Sequence, residues 1–360
     1  MVGLSWPDVL ARLSRRDALS AEEAEETLGV VLAGDATPAQ VGAFLVLLHA
    51  KGETADEVTG LARAMVDAAV PCPLGEGADL DGGPNVVVDL VGTGGDRLAS
   101  INVTTLASFI TAGAGVRVCK HGNRAASSSV GTADVLEALG VAIEVGPEGV
   151  ARCVAEAGMG FCFAQRFHPA MRFVGPVRKE LGVRTVFNYL GPLTNPALVR
   201  HQLVGVSDPA MGPIMAGVFG ATGSRRSLIV HADDGLDELS VTSSSSVLDV
   251  RGDGTGAYDV TDWRVDPAAL GLRPAAIADL RGGDAAFNAD VARRLLAGEA
   301  GPVRDAVCLN AAAAIAAYRG LTGDLHAALA DGLAAASAAL DSGAAETTLR
   351  RWVTVANATP

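Results

Sequence analysis

The chain has 360 residues, 49% hydrophobic and only 19% charged, which excludes a disordered protein and leaves room for about two packed domains. Its formal net charge of −13 excludes the broad basic face that nucleic-acid binding needs, while a local basic pocket for a small anion stays possible. No run approaches about 20 uninterrupted apolar residues, so no membrane span is expected; five cysteines (Cys72, Cys119, Cys153, Cys162, Cys308) without a CxxC pair suit reduced thiols in the cytoplasm.

Residues 1–17 hold no apolar core of signal-peptide length, and the first seventy residues read as helical. Ser20-Ala-Glu-Glu23 and Thr54-Ala-Asp-Glu57 are capping boxes, and Thr37-Pro38 places a cap before a first-turn proline with Gln40 at the third position. Pro71 to Gly77 and Asp81 to Pro84 form a turn-rich connector, a candidate hinge. Beyond it, strand-like runs alternate with helical ones. The runs are Val86 to Leu90, Val116 to Cys119, Val141 to Val145, Gly160 to Phe163, Leu203 to Val206 and Leu228 to Val230. Helical patterns fall between them, as at Thr132 to Leu139 and Pro147 to Ala157, and the Ala-rich stretches 311–317 and 327–340 read as packed C-terminal helices. Ser243 to Ser246 reads as a turn. The pattern predicts an α/β fold: a small all-helical N-terminal domain, then a large domain with a mostly parallel central sheet covered by helices. Ligands in such sheets sit at the carboxyl ends of strands.

Three strand ends and one helix start carry residues suited to anions or cations. After Val86 to Leu90 comes Gly92-Thr-Gly94-Gly95-Asp96, whose glycines let backbone N–H groups approach an anion; by itself a tight turn explains it nearly as well. Ser100, Asn102, Thr104 and Thr105 follow at the start of a helix, where phosphate binds readily but ordinary capping by Asn102 or Thr104 is the commoner arrangement. After Cys119 stands Lys120-His-Gly-Asn-Arg124, one of only three lysines beside 25 arginines, then Ser127, Ser128 and Thr132. Lys120 can aim a compact charge at phosphate, whereas Arg124 is more simply an internal salt-bridge partner and His121 a structural histidine. After Val230 comes Asp233-Asp-Gly-Leu-Asp237-Glu238, either a solvated acidic turn or a hard-cation site such as Mg²⁺ prefers. Finally, Arg172 and Arg178 flank a further loop, and either could meet a carboxylate bidentately.

Taken together, Gly-Thr-Gly-Gly-Asp (92–96), Asn-Val-Thr-Thr (102–105), Lys-His-Gly-Asn-Arg (120–124), Ala-Asp-Val-Leu-Glu-Ala-Leu-Gly (133–140), Gly-Pro-Leu-Thr-Asn-Pro (191–196) and Asp-Gly-Leu-Asp-Glu (234–238) resemble the anthranilate phosphoribosyltransferase family, in order and over nearly the whole chain. The resemblance implies a nucleoside-phosphorylase-like fold, with 1–72 and about 168–192 forming the helical domain and 73–167 with 193–360 the α/β domain, paired as a homodimer through the helical part. It implies transfer of phosphoribosyl from phosphoribosyl pyrophosphate to the anthranilate amine, a step towards tryptophan, with Mg²⁺ as cofactor and neither nucleic acid nor membrane as partner.

The same resemblance assigns residues. Gly92, Gly95, Asp96, Ser100, Asn102, Val103, Thr104 and Thr105 would contact the donor. Lys120, His121, Gly122, Asn123, Arg124, Ala125, Ala126, Ser127, Ser128 and Thr132 would complete its cradle. Thr104, Asp237 and Glu238 would hold Mg²⁺; Gly92, Asn123 and Arg178 would hold anthranilate, with His121, His168 and Met171 lining its channel. Thr104 stands where the family usually has serine, Ser100 where threonine and Thr132 where serine is common, and Met171 where some members carry tyrosine. Two rival readings are a pyrimidine nucleoside phosphorylase, whose lysine loop resembles Lys-His-Ser, and a non-catalytic nucleic-acid-binding relative, which the acidic balance disfavours.

Overall fold

The structure is a computed structural model that describes residues 5–74, 87–125, 130–320 and 324–359. Four helices open the chain: α1 (Trp6–Ser14), α2 (Ala21–Ala33), α3 (Pro38–Lys51) and α4 (Ala55–Asp67). Both capping boxes form, as does a third at Thr37 with Gln40, so each side chain satisfies an otherwise orphaned N–H at its helix start. Glu57 does more than cap α4: fully buried, it also accepts from Lys51 Nζ (2.8 Å) and from the N–H of Leu19 (3.0 Å).

The alternating part follows as β1 (Val88–Gly92), α5 (Val103–Gly113), β2 (Val118–Gly122), α6 (Thr132–Ala138), α7 (Pro147–Ala157) and β3 (Met159–Phe163). Three short helices come next, α8 (Ala164–Phe167), α9 (Gly175–Leu181) and α10 (Phe187–Leu190). Then β4 (His201–Gly205), α11 (Met211–Ala221), β5 (Arg226–Ala232), β6 (Ser245–Gly252) and β7 (Tyr258–Val265) complete one sheet. Four helices close the described chain: α12 (Ala285–Leu296), α13 (Pro302–Arg319), α14 (Leu325–Asp341) and α15 (Ala344–Asn357).

The seven strands run in the order β3-β2-β1-β4-β5-β6-β7, the first five parallel and the last two antiparallel. The chain winds outward from β1 to β3 and then returns to β4 on the other side of β1. Strand order therefore reverses between β1 and β4, the place where open α/β sheets leave a crevice at their carboxyl ends. Two hydrogen bonds mark the spot: Thr93 N–H to Gly205 O (2.9 Å) and Ser207 N–H to Thr93 Oγ1 (3.1 Å).

Two expectations need correction. Val141 to Val145 is extended and buries Val141, Ile143 and Val145 while exposing Glu144, but it pairs with no strand among the described residues. Its alternation reflects one face laid on the core, not a place in the sheet. Ser243 to Ser246 is only partly a turn, because β6 begins at Ser245 and continues into a hairpin with β7, whose outer face exposes Tyr258 and Val260. The connector from Gly75 to Val86 and residues Ala126, Ser127, Ser128 and Ser129 lie outside the described residues.

Two main cores result. Sheet and C-terminal helices share one. The other joins α1–α4 with Val174, Val177, Val186, Phe187 and Leu190, so the 174–190 segment packs on the helical side although it follows β3 in sequence.

Candidate active site

Three loops at the sheet's carboxyl edge meet around Lys120. This lysine lies on β2, only 1% exposed, and its Nζ donates to Leu90 O and to Thr104 Oγ1 (3.4 Å). Burial lowers its pKa, while Asp89 and Glu238 pull the other way and favour the cation. Lys120 is thus set directly against the buried acids Asp89 and Glu238.

Those acids are the last two of the acidic run. Asp237 and Glu238 are each 8% exposed. Burial, with Asp96 nearby, pushes Asp237 up to about 6. Burial and Asp237 raise Glu238 well above its ordinary value, although Lys120 and the N–H of Thr104 oppose the shift. Burial raises Asp96 as well. Glu238 Oε2 is buried without a hydrogen-bond partner among the described residues. The other two carboxylates are spent elsewhere: Asp233 pairs with Arg264, and Asp234 accepts from Ser240 Oγ and Thr242 Oγ1 to shape the turn.

The glycine loop is fitted to this acid loop. A Cβ on Gly92 would sit 2.5 Å from Asp237 Oδ2, and one on Gly205 would strike Asp237 O at 1.5 Å. Gly94 N–H donates to Asp237 Oδ2 (2.7 Å), and Gly94 and Gly95 take φ of +66° and +85°. Among the described residues no three His, Cys, Asp or Glu side chains could enclose a metal by themselves. The donor set is instead two carboxylates and the Thr104 hydroxyl, one carboxylate oxygen orphaned, which fits a Mg²⁺ that keeps water and substrate oxygens as its other ligands.

Neighbouring nominees are used in different ways. Asn102 does not cap α5; its Nδ2 donates to Val130 O (3.1 Å) and its Oδ1 accepts from Asn288 (2.9 Å), anchoring the end of the lysine loop. Thr105 and Thr132 hydroxyls meet at 3.2 Å. Val103 is buried in the core with its N–H turned to Ile101 O, and Ser100 bridges to Arg281 through its backbone. Arg124 behaves as the salt-bridge partner, reaching Asp134 (3.0 Å) and Glu137 (2.9 Å), while Ala125 N–H donates to Asp134 (3.2 Å).

Adjoining the glycine loop is a cavity of about 280 Å³ lined by Gly92, Asn123, His121, His168, Met171 and Arg178, with Gly122, Phe187 and Asn188 among its other walls. The six residues nominated for the acceptor therefore share one space. Arg178 stacks 5.3 Å from the Phe187 ring centre and is half-buried, whereas Arg172 lies over Phe173 and does not line the cavity. His121 Nδ1 reaches Gly191 O (2.9 Å) and His168 Nε2 reaches Thr194 O (3.1 Å). A carbonyl only accepts, so each of those nitrogens carries a hydrogen. Burial pushes His121 down to about 3 and His168 to about 4, so both rings are neutral near pH 7.

Three supports escaped the sequence reading. Asp89, fully buried in β1, accepts from His121 N–H (3.2 Å) and Asn195 Nδ2 (2.9 Å), and Asn195 also holds Cys119 O (2.9 Å). Arg184 and Ser207 grip the glycine loop: Arg184 Nη2 donates to Gly95 O (2.8 Å) and Ser207 Oγ to Gly94 O (2.8 Å). Asp89 sat in an apolar run that could have flagged it, since a charged residue in a buried strand needs partners. Arg184 and Ser207 carried no local signal.

Residues 84–346 match the glycosyl transferase family a/b domain, and residues 7–69 match the helical bundle domain of the same family. The chain is 54% identical over 354 residues to the anthranilate phosphoribosyltransferase of Salinispora arenicola, covering 98% of this chain and 97% of that one. A relative of the same name in Rhodococcus jostii is 52% identical, with 97% and 92% covered. Among solved structures, anthranilate phosphoribosyltransferase from Thermus thermophilus superposes with a TM-score of 0.87 at 41% identity, covering 98% of this chain and all of that one. The Saccharomyces cerevisiae enzyme in complex with PRPP and Mg gives 0.85 at 25% identity, with 98% of both chains covered.

Proposed function

This chain belongs to the anthranilate phosphoribosyltransferase family, and we infer from that membership and from the cleft that it transfers the phosphoribosyl group of phosphoribosyl pyrophosphate to the amine of anthranilate. It is a Mg²⁺-dependent glycosyltransferase of tryptophan biosynthesis, releasing pyrophosphate. The observation that carries the reading is the adjacency of a charged cradle and a cavity lined by Arg178 and two neutral histidines at one strand-order switch.

The chemistry follows from that adjacency. The amine nitrogen forms a bond to ribose C1, the bond from C1 to the pyrophosphate oxygen breaks with its electron pair, and the new nitrogen centre sheds a proton. An aromatic amine is already neutral at pH 7, so position matters more than a strong base. Arg178 anchors the anthranilate carboxylate, and Phe187 and Met171 pack the ring. Neutral His121 and His168 keep positive charge away from a ribose that becomes cationic. Lys120 and the Gly-loop amides offset the charge growing on the departing group. Thr104, Asp237 and Glu238 would hold Mg²⁺, which when bound adds positive charge beside pyrophosphate.

Residues 168–192 work with α1–α4 as the helical domain, a division supported by their common core. The protein pairs as a homodimer through that domain; exposed Val46 on α3 and Val183 after α9 offer apolar surface for it. It works in the cytoplasm, a reading supported by five buried free cysteines; among the described residues no helix is long and apolar enough to cross a membrane.

Anthranilate fluorescence tests the function. Adding phosphoribosyl pyrophosphate with Mg²⁺ will quench it in step with pyrophosphate release, and chelating the metal will stop the loss. No loss with either, together with phosphorolysis of uridine or thymidine, would favour the phosphorylase reading instead.

A further inference from the structure

The Gly94-Gly95 loop carries an unusual set of ties. Both of its carbonyl oxygens are held from outside: Gly94 O by Ser207 Oγ (2.8 Å) from the end of β4, and Gly95 O by Arg184 Nη2 (2.8 Å) from the turn after α9. In a trans peptide the N–H of the next residue points opposite to the carbonyl. Holding these two oxygens therefore turns the N–H groups of Gly95 and Asp96 the other way, and neither has a hydrogen-bond partner among the described residues. Two such free amides in sequence make an anion cradle.

A loop of two glycines is easily flipped, because neither residue has a Cβ to resist rotation. A flip would aim a carbonyl oxygen at the anion in place of an N–H. Residue 95 is also shaped for the arginine: a Cβ there would lie 2.3 Å from Arg184 Nη2. Arg184 has no ion pair among the described residues, so its donors are not drawn off by a carboxylate. It stands between Arg178 and Phe187, both walls of the acceptor cavity.

We propose that Arg184 is a positioning residue that locks the Gly95–Asp96 peptide with its N–H towards the donor's pyrophosphate, and so ties the acceptor-holding segment to the donor loop. The proposal rests on the function given above. Arg184 touches neither substrate; it acts through the peptide it holds.

The test compares wild type with Arg184→Met and Arg184→Lys, by steady-state kinetics and by calorimetric binding of inorganic pyrophosphate with Mg²⁺. Loss of a charged hydrogen-bond donor is worth about ten- to hundred-fold, expected here in the KM for phosphoribosyl pyrophosphate and in pyrophosphate affinity. Anthranilate KM at saturating donor will stay near wild type, Tm will hold, and Arg184→Lys will recover part of the loss. Ser207→Ala, which removes the shorter donor to the Gly94 carbonyl and a long contact to Arg184 but leaves the Gly95 carbonyl held, will show a smaller loss of the same kind and serves if the Arg184 variants do not fold. Unchanged donor KM and pyrophosphate affinity in every folded variant, or equal rises in both KM values with a falling Tm, would overturn the proposal. An inactive wild type would instead count against the proposed function.

Discussion

At the donor end of the cleft, Asp96, Asp237 and Glu238 crowd together with raised pKa values and a buried carboxylate oxygen that has no hydrogen-bond partner among the described residues, opposed by the buried Lys120. At the acceptor end, two histidines are held neutral by burial while backbone carbonyls fix their rings, and Arg178 lies against an aromatic ring in a space already formed. One end gathers buried acids with raised pKa values; the other offers shape and one charge. Affinity at the first should depend on metal, and at the second on fit.

The largest effect expected separates the two ends outright. Asp237→Asn should cut turnover by about a hundred-fold or more, because charge stabilisation of a leaving group is commonly worth several kcal/mol. The same substitution should leave Tm at pH 7.5 unchanged or higher. A carboxyl raised to about 6 is more ionised unfolded than folded, so above that pH its burial costs stability that the amide does not. Thermal unfolding beside the fluorescence assay checks both. Arg178→Ala comes next: anthranilate KM should rise about ten- to hundred-fold with donor KM little changed. A rise in donor KM of the same size would erase the distinction between the ends.

The histidines sharpen it through pH. His121 is lowered to about 3 from 6.5, so below pH 6.5 the unfolded chain takes up a proton that the folded chain refuses. Stability is unaffected above 6.5 and is lost as pH falls below it. His121→Asn should therefore lose stability on acidification less steeply than wild type, by about 1.4 kcal/mol per pH unit between 6 and 4. Denaturant midpoints at pH 7.5, 6 and 5 measure the difference. Smallest of all, Met171→Leu should shift anthranilate kcat/KM by less than about 1.5 kcal/mol, as volume-conserving swaps do.

Legibility in the sequence followed the same division. Capping boxes, the parallel strands and the glycine, lysine and acidic loops all announce themselves through local chemistry, and the three loops do meet at one sheet edge. What stayed hidden depends on distant partners. Nothing near Asp233 tells that Arg264, 31 residues on, claims it, while Asp237 and Glu238 are buried beside Gly94 and Lys120. Arg184 reads as any arginine until Gly95, 89 residues earlier, lies beneath it. Val141 to Val145 alternates like a strand because it lies on the core, and β6 and β7 were obscured by a serine run and a glycine-rich hairpin turn.

Under the proposed function, the buried acids at the donor end would receive a metal together with pyrophosphate. Calorimetric titration of phosphoribosyl pyrophosphate into wild type and Glu238→Gln, each with and without Mg²⁺, tests it most directly. Mg²⁺ should tighten binding strongly in wild type and little in the variant. Equal tightening in both would contradict the claim.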